Sequence, residues 1–348
     1  MIARWLRSLL TWSLVSAVLA GCGDPPPYRQ QAYVFGTLVE ISVMGVPEAQ
    51  AHAATAAVLA DFDRLHRLLH AWEPSELERI NAALAAGKLS GPAPREVLDL
   101  LRDAQVWAAR SEGLFNPALG NLVRLWGFHA DSFEARLPDT AEVGRLVAAA
   151  PVMADLRFDD DRVASGNPAV RLDLGGYAKG YALERAAGIM KQHGIRNALI
   201  NIGGNILALG RHGDRPWKVG IQHPRQSGAI AMLELRDGEA IGTSGDYQRF
   251  FEKDGRRYCH LIDPRTGWPA TGAQSVTVLV RGDHAGVRSD VTSKPIFIAG
   301  PLGWRAMATR MGVAEVLFIA ADGRASVTPG MAGRLEWLDK AMAPAVVD

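Results

Sequence analysis

The segment best suited to holding an anion is LDLGGYAKGYALERA, residues 172–186. Gly175 and Gly176 permit a tight turn, and a helical pattern begins at Ala178. The first turn of such a helix offers unpaired N–H groups and a partial positive charge, to which Lys179 adds a full one, so it suits a phosphate. Taken alone, the pattern is more typical of a strand, a turn and a helix with a surface lysine. It is neither a Walker A loop nor a GxGxxG motif.

Four further segments carry polar groups at the ends of predicted strands or in a predicted helix. They contain Gly203 and Gly204 in NIGGN, Thr243 and Ser244 in GTSGDY, His260 and Asp263 in HLIDPRTG, and Asp290 and Lys294 in SDVTSK. Asp290 and Lys294 are four residues apart, which places them on one face of a helix. Together with the Lys179 turn, these segments indicate a large polyanionic ligand.

The secondary structure pattern changes near Pro151. Before it, apolar residues with helical spacing predict helices over 47–70, from the capping-box pair Ser75 and Glu78, over 94–113 and over 139–149. After it, short strands, beginning with VRLDL at 170–174, alternate with glycine turns, and helices are predicted at 178–193 and after Asp290. Helices concentrated early and antiparallel strands late predict an α+β fold, with a helix-rich N-terminal half packed against a mainly antiparallel sheet.

The N-terminus has the pattern of an export signal. Arg4 and Arg7 precede an apolar run over 9–19 that is too short for a comfortable membrane span. The sequence LAGC, which ends at Cys22, resembles a bacterial lipobox, so we expect cleavage after residue 21 and acylation of the Cys22 thiol. The alternative is an ordinary signal peptide followed by an incidental cysteine.

Behind the signal peptide of residues 1–21, we expect residues 22–32 to form a tether and residues 33–340 to form a single domain. A lipid on Cys22 would hold this domain on the periplasmic side of a bacterial membrane, inner or outer. The formal net charge of +1 gives no general attraction for nucleic acid. Cys259 lies in an alternating apolar run, which is more typical of a buried side chain than of a reactive thiol.

Taken in order, these segments resemble the FAD:protein FMN transferases, the ApbE family. In the N-terminal half the resemblance includes FGT at 35–37, WEPSELERIN and GLFNPALGNLVRLWGF. In the C-terminal half it rests on LDLGGYAKGYALERA, NIGGNI, TSGDY, FEKDGRRYCHLIDPRTG and the segment around Asp290. It implies a T-fold-like flavin transferase architecture.

The resemblance implies an enzyme that binds FAD and magnesium outside the cytoplasmic membrane. It would move the FMN half of FAD onto a Thr or Ser hydroxyl of an acceptor flavoprotein, in a motif like Asp-Gly-x-Gly-Ala-Thr, and release AMP. Two other functions stay open. One is an FAD-binding maturation or flavin-donor factor for a respiratory or reductase complex, with little turnover of its own. The other is a lipid-anchored solute-binding or structural protein without flavin.

The resemblance also implies roles for single residues. Lys179 and the Gly175–Gly176 turn would lie near the FAD phosphates, and the backbone at Gly203 and Gly204 would approach the cofactor. The remaining implied contacts are hydroxyl donation by Thr243 and Ser244, packing of Trp126 against the flavin or adenine ring, and magnesium binding by Ala178 and Asp290.

His260 is the candidate base for the acceptor hydroxyl, because an imidazole with a pKa near 6.5 can accept a proton at neutral pH. The alternative is a histidine satisfied within a strand. Asp263 could orient His260 or cap the following turn, and Asp-Pro favours the cap.

Two positions depart from the family pattern. Lys294 stands where the family has a metal-binding Thr, and a protonated ammonium donates hydrogen bonds but cannot bind magnesium. Lys294 could take over part of the metal's charge, pairing with Asp290 or a phosphate, or Thr292 or Ser293 could become the ligand. Asn116 stands where Asp is usual, which removes a negative charge expected near the site. We therefore expect FAD binding with an unusual use of magnesium.

Overall fold

The computed structural model describes residues 26–130, 132 and 134–347. The expected signal peptide and Cys22 lie outside these residues. The α-helices are α1 (Glu48–Leu69), α2 (Glu76–Ala85), α3 (Arg95–Arg110), α4 (Gly120–Leu125), α5 (Thr140–Ala148), α6 (Ala178–Gln192), α7 (Ala285–Met311) and α8 (Pro329–Ala332). The strands are β1 (Tyr28–Val34), β2 (Thr37–Met44), β3 (Leu156–Asp159), β4 (Arg162–Ser165), β5 (Asn197–Ile202), β6 (Asn205–Leu209), β7 (Trp217–Gln222), β8 (Ala229–Leu235), β9 (Glu239–Gly245), β10 (Phe250–Lys253), β11 (Arg256–Cys259), β12 (Ala273–Arg281), β13 (Glu315–Ala320), β14 (Ala325–Val327), β15 (Leu335–Trp337) and β16 (Ala345–Val346).

The predicted helices of the N-terminal half are confirmed as α1, α2, α3 and α5. Ser75 caps α2, since its hydroxyl accepts a hydrogen bond from the Glu78 backbone N–H at 2.9 Å. The expected tether is too long, because β1 begins at Tyr28 and pairs with β2 from Tyr28 opposite Val43 onward. The first hairpin of the sheet therefore includes part of the segment that we expected to be a tether.

Two elements differ from expectation around the predicted site. VRLDL is not a strand, because only Arg171 forms an isolated parallel bridge, to Leu119. The predicted helix after Asp290 begins earlier, at Ala285, and continues past Pro295 to a non-helical backbone at Gly300 (φ 69°, ψ −173°). Asp290 and Lys294 consequently lie in regular helix, as their spacing predicted. None of the helices within the described residues is both long and apolar enough to cross a membrane.

The main sheet has nine strands in the order β1-β2-β5-β6-β9-β12-β13-β14-β16. All neighbours are antiparallel except β14 and β16. A smaller antiparallel sheet has the order β15-β8-β7. The α+β fold with a mainly antiparallel sheet is therefore confirmed.

Strand β12 is buried on both faces because the main sheet is covered on both sides. Val276, Val278 and Val280 join the core cluster shared with α1, α6 and α7. Leu279 points the other way, into the cluster formed with β7 and β8. A strand covered on both faces reads as a continuous apolar run.

Helices α6 and α7 cross closely at two glycines. A Cβ on Gly180 would lie 2.6 Å from the Gly286 carbonyl oxygen and 2.7 Å from Val287 Cα, and both of these atoms are backbone. The crossing therefore depends on a missing side chain, and it sets the distance between the start of α6 and Asp290 on α7.

We expect Gly180→Ala to destabilise the protein by about 1–3 kcal/mol, because the added methyl group pushes α6 away from α7. Gly188→Ala on the same helix is the matched control, since nothing lies within 4 Å of its Cβ position. The control should be neutral or stabilise by about 0.5–1 kcal/mol, owing to the better helix propensity of alanine. Urea unfolding of both variants measures the difference, and equal midpoints would contradict the close crossing.

Candidate active site

The centre of the site is the carboxylate of Asp290, which is fully buried in α7. It accepts hydrogen bonds from the backbone N–H of Gly180 at 2.8 Å and from Asn205 Nδ2 at 2.9 Å. Lys294, one turn along α7, donates to the same carboxylate at 2.5 Å and to the Asp290 carbonyl at 2.6 Å. The start of α6, the start of β6 and the middle of α7 therefore meet at this carboxylate.

The Gly175–Gly176 turn lies over the Lys294 side chain. A Cβ on Gly176 would lie 3.0 Å from Lys294 Cε and 3.1 Å from Cδ, so the glycine leaves room for the lysine stem. Gly175 is exposed, and its backbone N–H donates to Asp173 Oδ1 at 2.8 Å. Neither glycine has a positive φ. Space for Lys294, rather than an unusual backbone conformation, is therefore what Gly176 provides.

Lys179 lies in the first turn of α6, between Ala178, the first residue of the helix, and Gly180. Its side chain is partly exposed. It forms no hydrogen bond or ion pair with another residue in the described part of the chain. An ammonium next to the start of a helix and open to solvent is suited to an anionic ligand.

His260 directly follows β11 and is partly buried. Its ring meets Phe128 edge-on, with 6.5 Å between the ring centroids. Nδ1 lies 3.3 Å from the carbonyl oxygen of Arg249. Because a carbonyl oxygen only accepts, this contact favours the tautomer with the proton on Nδ1 and leaves Nε2 able to accept a proton.

The charges of the two lysines act on both His260 and Asp290. Burial, followed by the charges of Lys179, Arg249 and Lys294, lowers the pKa of His260 to about 3. Burial would raise the pKa of Asp290, but the charges of Lys294 and Lys179 outweigh it, and the pKa is lowered. The four predicted residues Lys179, His260, Asp290 and Lys294 therefore share one neighbourhood.

Thr243 and Ser244, both predicted as hydroxyl donors, point to opposite faces of β9. The Ser244 hydroxyl lies 2.9 Å from that of Ser293 on α7, on the same side of the sheet as Asp290. The Thr243 hydroxyl lies 2.9 Å from that of Thr277 on β12. Since side chains alternate along a strand, Thr243 is directed away from the Asp290 carboxylate. Only Ser244 keeps a place beside the site.

Gly203 and Gly204 form the turn of the β5–β6 hairpin, with φ values of 56° and 90°. A Cβ on Gly203 would lie 2.4 Å from Thr37 Oγ1, so this glycine is needed for the turn and for packing against the β1–β2 hairpin. The turn leads directly into Asn205, which binds Asp290. The contacts of this turn are structural, and its predicted approach to the cofactor stays a prediction.

Trp126 belongs to the hydrophobic core. Its side chain is 1% exposed, and its Nε1 donates to the Gly267 carbonyl oxygen at 2.8 Å. Its ring packs against Phe251, Tyr258 and Trp268. These contacts favour a structural role for the ring, and the flavin or adenine contact stays a prediction.

Two other residues singled out in the sequence have structural contacts. The Asn116 side chain donates to the Pro151 carbonyl at 2.9 Å and accepts from the Ala118 N–H at 3.1 Å. An ionised Asp could not make the first of these bonds. Asp263 accepts from the Arg265 N–H at 2.9 Å, which confirms the turn-cap interpretation.

Two groups that hold Asp290 were not among the predicted site residues. These are the N–H of Gly180 and the amide of Asn205. Asn205 is the last residue of the NIGGN turn. Its position directly after two glycines was the only feature of the sequence that could have marked it as a site residue. The close approach of Gly180 to α7 has no signature in the sequence, because it depends on how two helices cross.

The groups around Asp290 do not fit a magnesium ion. A magnesium site offers oxygen ligands, whereas this carboxylate faces a backbone N–H, an amide NH₂ and the Lys294 ammonium. No cluster of three or more His, Cys, Asp or Glu side chains suited to a metal occurs within the described ranges. The expected binding of magnesium by Ala178 and Asp290 is therefore not supported by this arrangement.

A cleft of about 870 Å³ is lined in part by Arg225, Arg257 and Cys259, the residue that precedes His260 in the chain. Arg225 is paired with Asp246, with an N–O distance of 2.6 Å. Burial raises the pKa of the Cys259 thiol to about 12, so it stays protonated and unreactive. The lining includes Asp263 but none of Lys179, His260 and Asp290, so this cleft is not the site formed by those three residues.

A sequence model of the ApbE family matches residues 35–318 of the chain. The chain belongs to the ApbE family. A Rhodobacter capsulatus protein named FAD:protein FMN transferase is 46% identical over 311 residues, which are 89% of this chain and 59% of that protein. This chain therefore spans less than two thirds of that relative's length. A Klebsiella pneumoniae protein of the same name is 32% identical over 82% of each chain.

Solved ApbE structures share the fold. The ApbE protein of Thermotoga maritima superimposes with a TM-score of 0.80 at 30% identity, over 88% of this chain and 99% of its own. The apo form of the flavinyl transferase ApbE from Pseudomonas stutzeri gives 0.74 at 29% identity, over 87% and 94%. The predicted family and architecture are thus confirmed.

Proposed function

We propose that this protein is an FAD:protein FMN transferase. It transfers the FMN moiety of FAD to a Thr or Ser hydroxyl of an acceptor flavoprotein, forming a phosphoester bond and releasing AMP. The observation that supports this most directly is the meeting of Lys179, Lys294 and His260 around Asp290. Two cations beside a helix start suit a diphosphate, and a neutral imidazole beside them suits a hydroxyl proton.

The reaction exchanges one phosphorus–oxygen bond for another. The acceptor hydroxyl oxygen forms a bond to the phosphorus of the FMN half, the bond to the AMP oxygen breaks, and AMP leaves with that oxygen. His260 Nε2 takes the hydroxyl proton. Lys179 and the first turn of α6 hold the diphosphate and offset its charge, which is where most of the rate enhancement of phosphoryl transfer arises.

Incubation of the purified protein with FAD and an acceptor domain that carries an Asp-Gly-x-Gly-Ala-Thr segment tests the proposal. We expect a fluorescent acceptor whose mass has increased by one FMN moiety, with one AMP released per acceptor. An acceptor whose Thr is replaced by Val is the control. Bound FAD without AMP release would favour the maturation or flavin-donor factor, and no FAD binding would contradict both.

Lys179→Ala is expected to weaken FAD binding about tenfold or more, because one charge-assisted contact to the diphosphate is lost. Lys191→Ala is the matched control, since Lys191 is exposed near the end of the same helix. Titration calorimetry with FAD measures both. Equal affinities of the two variants would remove Lys179 from the site.

The pH dependence of transfer follows from the low pKa of His260, which is about 3 in the free protein. The imidazole is therefore neutral, and able to accept a proton, throughout the range from about pH 5 to 8. We expect kcat/KM to show no decline near the ordinary histidine pKa of about 6.5. Because the pKa of His260 is lower in the folded than in the unfolded protein, its neutral ring contributes stability above about pH 6.5. This stability is lost as the pH falls from about 6.5 towards the pKa of the folded state. An acidic limb near pH 6.5 that disappears in His260→Asn would show that His260 titrates near its ordinary pKa, and would contradict the low pKa.

We also propose that the protein is a lipoprotein on the periplasmic side of a bacterial membrane. The support is the LAGC sequence that ends at Cys22 and the basic and apolar residues before it. Mass spectrometry of the mature protein from cells is expected to show an acylated Cys22 at the N-terminus. An unmodified mature N-terminus at another residue would contradict the lipid anchor.

A further inference from the structure

The Lys294 ammonium donates two of its three hydrogen bonds to Asp290. One is accepted by the carboxylate and one by the carbonyl oxygen. The described residues provide no acceptor for the third. The Lys294 side chain remains 14% exposed, whereas that of Asp290 is 1% exposed. A cation is therefore presented at the edge of a buried carboxylate.

The protein holds this cation in place from several sides. Gly180 and Asn205 fix the Asp290 carboxylate, so Lys294 cannot draw it towards solvent. Gly176 leaves the space through which the lysine stem passes beneath the turn. Since Lys294 itself lies in a helix, its backbone is also fixed. Such a cation is pre-organised, and little of its freedom is lost when an anion binds.

We propose that the Lys294 ammonium takes the place of a divalent cation between Asp290 and the FAD diphosphate, so that FAD binding and FMN transfer by this protein require no divalent metal ion. This inference rests on the proposed function. A cation that belongs to the chain does not have to be acquired from solution. Its third proton donates to a diphosphate oxygen, as a charge-assisted hydrogen bond.

The charges around the site are consistent with this role. Lys179 and Lys294 contribute two positive charges, and Asp290 contributes one negative charge. The net positive charge of these three side chains faces a diphosphate that carries negative charge. Without Lys294 the carboxylate and the diphosphate would repel each other at close range, which is the situation that a bound metal ion usually relieves.

The test compares FAD binding by the purified wild-type protein, and AMP release when the acceptor domain is added, in excess EDTA and in millimolar Mg²⁺. We expect the dissociation constant for FAD and the rate of AMP release to agree within about twofold in the two buffers. A fall of tenfold or more in EDTA, restored by Mg²⁺, would overturn the inference and leave the proposed transferase function intact. Absence of FAD binding in both buffers would overturn both.

The Lys294→Thr variant provides the second arm. In EDTA we expect it to bind FAD at least about tenfold more weakly than wild type, because it lacks the cation. Mg²⁺ should restore much of this binding, since the substitution removes the ammonium from one carboxylate oxygen and from the carbonyl oxygen of Asp290 and adds a hydroxyl. Lys253→Thr, at an exposed position on β10, is the matched control and should behave as wild type. Wild-type affinity of Lys294→Thr in EDTA, or no response of that variant to Mg²⁺, would overturn the inference.

Discussion

Replacing His260 with alanine is expected to lower the rate of FMN transfer by about 10²–10⁴-fold, the usual contribution of a positioned general base. Nε2 is the atom lost, and in wild type it is available because Nδ1 faces the Arg249 carbonyl at 3.3 Å. FAD affinity should remain within about twofold of wild type, because the proposed phosphate contacts come from Lys179 and Lys294. The measurements are single-turnover AMP release and calorimetric FAD binding.

The low pKa of free His260 does not conflict with a role as base. It arises from burial and from the positive charges of Lys179, Arg249 and Lys294. A bound diphosphate brings negative charge into the same neighbourhood and raises the proton affinity of the imidazole when the acceptor hydroxyl arrives. The bound substrate thus increases the basicity of the group that removes the proton.

His52→Ala is the control for this experiment, because His52 is exposed on α1 and its ring makes no hydrogen bond within the described residues. It should transfer FMN at the wild-type rate. Transfer by His260→Ala at that same rate would show that another group, or water, accepts the proton. Loss of FAD binding in His260→Ala would instead assign the ring a role in shaping the site.

Replacing Asp290 with alanine is expected to lower the free energy of unfolding by about 3 kcal/mol and to abolish FAD-dependent activity. Removal of a buried carboxylate leaves the Lys294 ammonium without its partner and leaves the Gly180 N–H and Asn205 amide without an acceptor. The α6–α7 crossing loses the contact of the Gly180 N–H with Asp290 at the same time and keeps the contact of the Gly286 N–H with Glu184. Urea unfolding and FAD titration measure the two effects.

Asp63→Ala provides a matched control, because Asp63 also forms an ion pair four residues along a helix, with Arg67. The Arg67 side chain is 69% exposed and that of Asp63 is 60% exposed. This ion pair should therefore contribute no more than about 0.5 kcal/mol to the free energy of unfolding. Equal destabilisation by the two substitutions would contradict the view that burial makes the Asp290 pair important. Full FAD binding by Asp290→Ala would show that Lys294 needs no anchor.

The amino-acid sequence by itself determined the helices α1, α2, α3, α5 and α6, because apolar residues at helical spacing and local caps such as Ser75 act within a few residues of chain. It also determined the order of the polar glycine turns, from which the family follows. The i,i+4 spacing predicted that Asp290 and Lys294 share a helix face, and the structure agrees. Interactions of this kind are local, so they can be predicted from a few neighbouring residues of the sequence.

Only the tertiary structure decided which of the polar residues face one another. Thr243 and Ser244 alternate along β9 as neighbours in any strand do, but only the packing of α7 on one face decided that Ser244 lies beside Ser293 and Thr243 beside Thr277. The rings around Trp126 came from distant segments and buried it. The Asp290 carboxylate binds Gly180 and Asn205 because α6 and β6 pack against α7. The stability of this arrangement comes from burial and charge interactions between segments that are far apart in the chain.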